Sequence, residues 1–320
     1  ATTTATAGAG AASQPQLQPL PPLQRMRVVA NDDGAVLAEF DVAAGPHGPV
    51  RMDWHARVDD PLLQLSAPLA EVQALAAVLA RHRREGVPVL AWWDTSRQLQ
   101  ALGAGGAVFD QPIGEPLYLP ARWSAARDAA LRTEHAYWGS ADAAQRERWG
   151  SFARALVAPE EQGVALLRSM VPGRGAIVVL HLRDMLLLGQ MDPKALAVGF
   201  QDFADSGDVH RSVRGVHGWL REGDQSAYAV MKLPDNQLRV VALKDAASGN
   251  TLAARLLPFI GNKQDDVAGL TLVWRGGGFV VYELDAGSAN DPKDAKGAKG
   301  AKGAKDASPP TRPATGGPPP

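Results

Sequence analysis

Apolar and polar residues alternate through RMRVVA, AVLAEFDVA and VRMDWHARV, three segments within residues 25–58. A period of two marks strands buried on one face only. Asn31-Asp32-Asp33-Gly34 and Gly45-Pro46-His47-Gly48-Pro49 lie between them and read as turns. The period then lengthens. Leu69, Val72, Leu75, Val78 and Leu79 share one helical face after Ser66 and Pro68, with Glu71 in the first turn and Arg81 to Arg84 before Gly86. Acid at the start, cations at the end and glycine just beyond are the order that a helix dipole and a glycine cap favour. VPVLAWW is a continuous apolar run, the pattern of a strand covered on both faces. Asp94-Thr95-Ser96 is placed to cap a short helix RQLQAL, and AVFD reads as another strand.

The pattern recurs downstream. Ser140 opens a helical stretch through Gln145-Arg146-Glu147 and Phe152–Val157, and Pro159-Glu160-Glu161 starts a helix over EQGVALLRSM. Gly173-Arg174-Gly175 introduces AIVVLHL, a second fully apolar strand. Helices alternating with buried strands predict a Rossmann-like parallel sheet. VRGVHGWLRE, AYAVMKL, LRVVALKD, TLAARLLPF and GLTLVW/FVVYEL return to strand-like alternation, with hairpin turns at Pro234-Asp235-Asn236 and Gly276-Gly277-Gly278. The expected fold class is α+β: a Rossmann-like parallel-sheet α/β core flanked by antiparallel β-rich segments, with disordered ends. By this reading residues 1–24 are a linker, 25–60 a β-rich segment, 61–207 the α/β core, 208–285 a β-rich domain and 286–320 a tail.

Composition changes this picture mainly at the ends. Residues 1–24 are small, polar and proline-rich, too poor in apolar surface to offset the entropy of ordering them. A linker of this kind, in a chain that begins at Ala, is expected after a removed signal sequence or membrane anchor, and with it a periplasmic location. In the tail, Lys293, Lys296, Lys299, Lys302 and Lys305 recur every third residue among glycines. The tail's charge hides the acidity of the rest: the chain is −1 overall, but 27 positive and 31 negative groups remain before residue 286. Such a balance does not favour nucleic acid. No apolar run reaches the 18 or so residues of a spanning helix. The chain has no cysteine, so it forms no disulfide, thiolate metal site or covalent haem c. No cofactor is expected.

Candidate chemistry gathers at the ends of the two apolar strands. Trp92, Trp93 and Asp94 close the first, followed by Thr95 and Arg97. The crevice beyond the carboxyl ends of parallel strands is where ligands bind, which makes Trp92, Trp93, Asp94, Thr95 and Arg97 candidate binding residues. The simpler reading is a packed Trp and a capped helix. His181 and Asp184 close the second strand and, with Asp94, are candidate proton-transfer groups; pairing with Arg183 or a loop is the structural alternative. His47, Met52 and His55 could offer imidazole and thioether to copper, although no metal is expected. Trp123, Tyr137, Trp138 and Trp149 read as packing between helices or as a docking surface.

VLAWWDTSRQLQALGAGGAVFDQ resembles the Trp-Trp-Asp segment in the catalytic subunit of oligosaccharyltransferase, and the similarity extends over about residues 86–200. It implies a related soluble α/β domain, with peptide contact at Trp-Trp-Asp. The Tyr-Gly that follows the Asp in that family is Thr95-Ser96 here. The WWDTSRQ segment, the chain length and the linker-like start also resemble HaoB, the hydroxylamine oxidation proteins encoded beside hydroxylamine oxidoreductase. That resemblance implies an exported accessory protein, without catalysis of its own, whose partner is a multihaem hydroxylamine oxidoreductase. The alternatives are a peptide- or small-molecule-processing enzyme with its site at Asp94 and His181, and a glycosyltransferase-related peptide-binding domain.

Overall fold

The computed structural model describes residues 20–29, 34–57, 65–113, 125, 127–205, 207, 209–225, 227–233, 237–262 and 266–287. The expectations for residues 1–19 and 288–320, for the turns at 31–33 and 234–236 and for Trp123 fall outside these residues. In chain order the elements are β1 (Gln24–Val29), β2 (Val36–Ala43), β3 (Val50–Ala56), α1 (Leu69–His82), β4 (Val89–Leu90), α2 (Trp93–Ala101), α3 (Arg127–Trp138), α4 (Ala143–Val157), α5 (Glu160–Met170) and β5 (Ala176–His181). They continue as α6 (Leu182–Met191), β6 (Val198–Ala204), α7 (Val209–Glu222), β7 (Ala227–Leu233), β8 (Gln237–Leu243), α8 (Ala246–Gly249), α9 (Leu252–Leu256), β9 (Leu270–Gly276) and β10 (Phe279–Leu284).

Among the described residues three sheets form: β1-β2-β3, β4-β5-β10-β9 and β6-β8-β7. The first and third are wholly antiparallel. In the second only β4 and β5 run parallel; β10 lies antiparallel between β5 and β9. The chain is therefore α+β with a mixed central sheet; among the described residues the parallel pairing expected from the apolar runs joins β4 to β5, and β10 and β9 complete the sheet antiparallel. A fully apolar run reports burial on both faces but not the direction of the neighbour.

Alternation in the central strands separates two cores. Ala176, Val178 and Leu180 of β5 and Val280, Tyr282 and Leu284 of β10 face α4, α5, α6, α9 and the inner face of the third sheet. Ile177, Val179, Phe279 and Val281 face α1, α2 and β3. A third, smaller cluster joins Val216 and Leu220 of α7 to Val240 and Ala242 on the outer face of β8.

Three strand expectations are corrected. VRGVHGWLRE lies in helix α7, because Val216 and Leu220, four residues apart, are the positions buried against the sheet. TLAARLLPF contains the short helix α9, whose Thr251 side chain accepts from the Ala254 N–H as a cap. AVFD contributes only one parallel bridge, Ala107 to Val89. Among the described residues no helix is long and apolar enough to cross a membrane.

Candidate functional site

Parallel pairing of Val89 with Ile177 and Leu90 with Val178 brings the carboxyl ends of β4 and β5 to one edge. Each strand turns there directly into a helix, α2 after β4 and α6 after β5. Trp92 and His181 are the capping residues. The His181 N–H donates to Asp184 Oδ2 at 2.8 Å, while His181 Nδ1 accepts from the Arg183 N–H at 3.1 Å. This reciprocal cap satisfies the first amides of α6 and fixes both side chains.

Arg183 ties the two strand ends together. Its Nη2 donates to Asp94 Oδ1 at 2.6 Å and to Thr95 Oγ1 at 2.9 Å, and its Nε lies 3.5 Å from Asp184 Oδ1. Burial opposes the charge of the guanidinium, but Asp94 and Asp184 outweigh it and hold its pKa above the usual value. Burial pushes the Asp184 carboxyl up to about 7 against the pull of Arg183 and the His181 N–H. Asp184 Oδ1 and Arg183 Nε have no hydrogen-bond partner, so this edge of the cluster is incompletely satisfied. Arg51 approaches Asp94 Oδ2 from β3 at 4.0 Å and lies over the Trp54 ring.

His181 also faces outward, into a cleft of about 550 Å³ lined by Glu71, Ser66, Asp53, Trp54, Lys232 and Gly278 among others. Because Nδ1 accepts a backbone hydrogen bond, the proton of the neutral ring sits on Nε2, 3.9 Å from Glu71 Oε2. Burial lowers the imidazole pKa, with the Glu71 carboxylate opposing, so the ring is held neutral. The β9–β10 turn closes over this pair. A Cβ at Gly278 would come within 2.5 Å of His181 Nε2, and one at Gly277 within 2.9 Å of Glu71; both glycines have positive φ. The cleft floor thus offers an N–H donor beside a carboxylate acceptor. Asp94 and Asp184 are not among its lining residues.

The sequence candidates separate by role. Trp92 is buried edge-on against Trp149, with ring centroids 5.1 Å apart, whereas Trp93 is half-buried. Arg97 is buried; its Nη2 donates to the carbonyls of His47, Gly48 and Pro49 at 3.4, 3.2 and 2.8 Å. Gln98 extends the clasp to the Arg51 and Met52 carbonyls. Tyr137 and Trp138 stack edge to face, and Trp138 meets Phe40 of β2. The three copper candidates are not brought together: Met52 is buried in the core, His47 lies 3.3 Å from Asp110, and His55 lies 3.4 Å from Asp53. Among the described residues no three His, Asp or Glu side chains are grouped to hold a metal ion.

Glu71, Arg51 and the glycine turn were not singled out as site residues in the sequence. Glu71 reads there as first-turn acid and the glycines as a hairpin. Only Arg183, adjacent to both candidates in HLRD, carries a local signal of its linking role.

This is a mixed-sheet α+β protein whose polar cluster joins two helix starts at one sheet edge. The chain belongs to the family of the HaoA-associated protein HaoB, whose family model matches residues 1–284. No curated protein and no solved structure matches it, and the likeness of residues 86–200 to the transferase domain gains no support from either.

Proposed function

We propose that the chain is a non-catalytic accessory protein of hydroxylamine oxidation that associates with HaoA, the multihaem hydroxylamine oxidoreductase, in the periplasm. Membership of the HaoA-associated family over residues 1–284 carries this reading. The site chemistry supports it. A backbone N–H engages the His181 Nδ1 lone pair that a general base needs, and Asp184 is buried and does not line the cleft. The chain has no cysteine and so attaches no haem c itself, which suits an accessory role beside a haem-bearing partner. An anchor or signal preceding residue 1 would place the chain in that compartment.

Purified HaoA passed over the immobilised full chain tests the association. Retention with a saturable affinity is expected, together with no hydroxylamine consumption by the chain alone. Loss of hydroxylamine catalysed by the chain without HaoA, abolished in Glu71→Gln, would instead establish an enzyme at the His181 cleft.

A further inference from the structure

The cleft at His181 is bordered by two strand edges. Residues 53–57 of β3 and 230–233 of β7 line it as unbroken runs. Successive side chains of a strand point to opposite faces, so a wall made of consecutive residues is the edge of the strand itself. Both strands are the outermost of their sheets. The edge of β7 already holds one partner: Tyr228 and Ile260 exchange both backbone hydrogen bonds, at 2.9 and 2.7 Å. The next residues facing the same way are Val230 and Lys232, whose backbone groups on that side have no partner among the described residues. The residue that would continue the bridge opposite Val230 is Pro258, which has no N–H. On β3 the outward Trp54 N–H donates to Asp53 Oδ1 at 3.0 Å, so β7 is the edge left open.

The floor adds a polar group that lacks a partner. His181 is only 4% exposed, and its Nε2–H lies 3.9 Å from Glu71 Oε2, beyond hydrogen-bond reach. A buried N–H is normally satisfied. A donor beside a carboxylate suits neither an anion, which Glu71 repels, nor a cation, which the N–H repels. It suits a neutral group that accepts one hydrogen bond and donates another, as an amide does. Along the walls Asp53 and Glu71 offset Arg57 and Lys232. We infer that the cleft binds an extended, uncharged segment of the partner protein, added as a strand to the β7 edge at Val230 and Lys232, with one of its amides on His181 and Glu71. Main-chain hydrogen bonds supply the affinity in strand addition of this kind. A cleft of about 550 Å³, closed on its other sides by β3, α1 and the glycine turn, takes one extended segment rather than the edge of a second sheet. This rests on the reading that the chain associates with HaoA, and deepens it by naming the surface used and the form the partner presents there.

The test follows hydrogen exchange at the Val230 and Lys232 amides of the full chain, alone and with purified HaoA. Alongside it, HaoA affinity is measured for wild type, Val230→Pro and Val230→Thr, each checked for folding by thermal melting. Exchange at both amides is expected to slow at least tenfold in the complex. Val230→Pro removes an outward N–H from an edge strand, where proline is tolerated, and should bind HaoA at least tenfold more weakly. Val230→Thr keeps the N–H and should bind as wild type does. HaoA binding that leaves exchange at both amides unchanged overturns the inference while leaving the association intact, and so does a folded Val230→Pro with wild-type affinity. If Val230→Pro does not fold, exchange in the wild type decides alone. Protection of the two amides that rises with the concentration of the chain by itself would assign the edge to a second copy and overturn the inference. No binding of HaoA by the wild type removes the association itself, and this inference with it.

Discussion

Helices α2 and α7 both have polar sequences, yet they turn that polarity in opposite directions. In α2, Thr95, Ser96, Arg97 and Gln98 all point inward, and their hydrogen bonds hold the 45–49 turn, the β3 backbone and Arg183. In α7 Val216 and Leu220 point inward, and Arg214, His217 and Arg221 are exposed. A polar side chain on a buried face must find a partner inside the protein, and for α2 the carbonyls of Ala91, of residues 47–49 and of β3, together with Arg183, supply those partners. The difference shows that a cluster of Trp, Asp, Thr and Arg at a strand end can serve as an internal clasp, while an equally polar helix packs through Val216 and Leu220 and leaves Arg214 and Arg221 exposed.

The comparison breaks most readily at Trp92. Trp92→Ala removes a fully buried ring packed on Trp149 and should destabilise the protein by about 3–5 kcal/mol, seen as a lowered denaturant midpoint. A loss below about 1 kcal/mol would mean that α2 is not an internal clasp. Next in size is a pH effect. The Asp184 carboxyl, near 3.8 when unfolded, is held at about 7 in the folded protein. The folded state therefore retains a proton that the unfolded chain has released, and this contribution is present below about pH 4 and lost as pH rises through 7. The full change is on the order of 4 kcal/mol. Buried, neutral His181 acts in the other sense, losing stability as pH falls below its unfolded value of 6.5. Melts of Asp184→Asn between pH 5 and 8 should show the variant gaining on wild type as pH rises; a constant difference would show that Asp184 is ionised throughout.

Arg97→Ala leaves the carbonyls of the 45–49 turn without their donor and should cost about 1–3 kcal/mol. Hydrogen exchange should locate the loosening at that turn and the start of β3. Smallest of all is the expected stability effect on the other helix. Arg221→Glu puts an acid where a cation complements the end of α7 and should cost no more than about 1 kcal/mol. A melting temperature that falls as far as for Arg97→Ala would mean that Arg221 holds more of the fold than its exposure suggests.

Much of the architecture was legible where one physical signal dominated. Helix α5 begins at Pro159-Glu160-Glu161, β5 is buried along its whole length, and the glycine turn joins β9 to β10. Helix α7 was not legible, because Gly215 and Gly218 weaken helix propensity and the burial of Val216 and Leu220 emerges only when a sheet lies beneath them. Direction escaped as well: nothing in AIVVLHL reveals that one neighbour is parallel and the other antiparallel. At the site, Asp94 and His181 could be placed at one sheet edge from their positions after apolar runs. That Arg183 links them could not, since its partner Asp94 is 89 residues away.

The position of β10 has a consequence for the order in which the molecule can assemble. Strand β5 has its main pairing with β10, Ala176 opposite Leu284 and His181 opposite Phe279, roughly a hundred residues later in the chain. At synthesis rates of about 5–20 residues per second, β5 waits on the order of 5–20 s for that neighbour. Throughout that interval a six-residue apolar strand has only two-residue β4 to pair with, an open template for other chains. The nascent protein should therefore depend on a holdase until its last strand is made, and truncation before Phe279 should yield aggregate rather than a smaller folded unit.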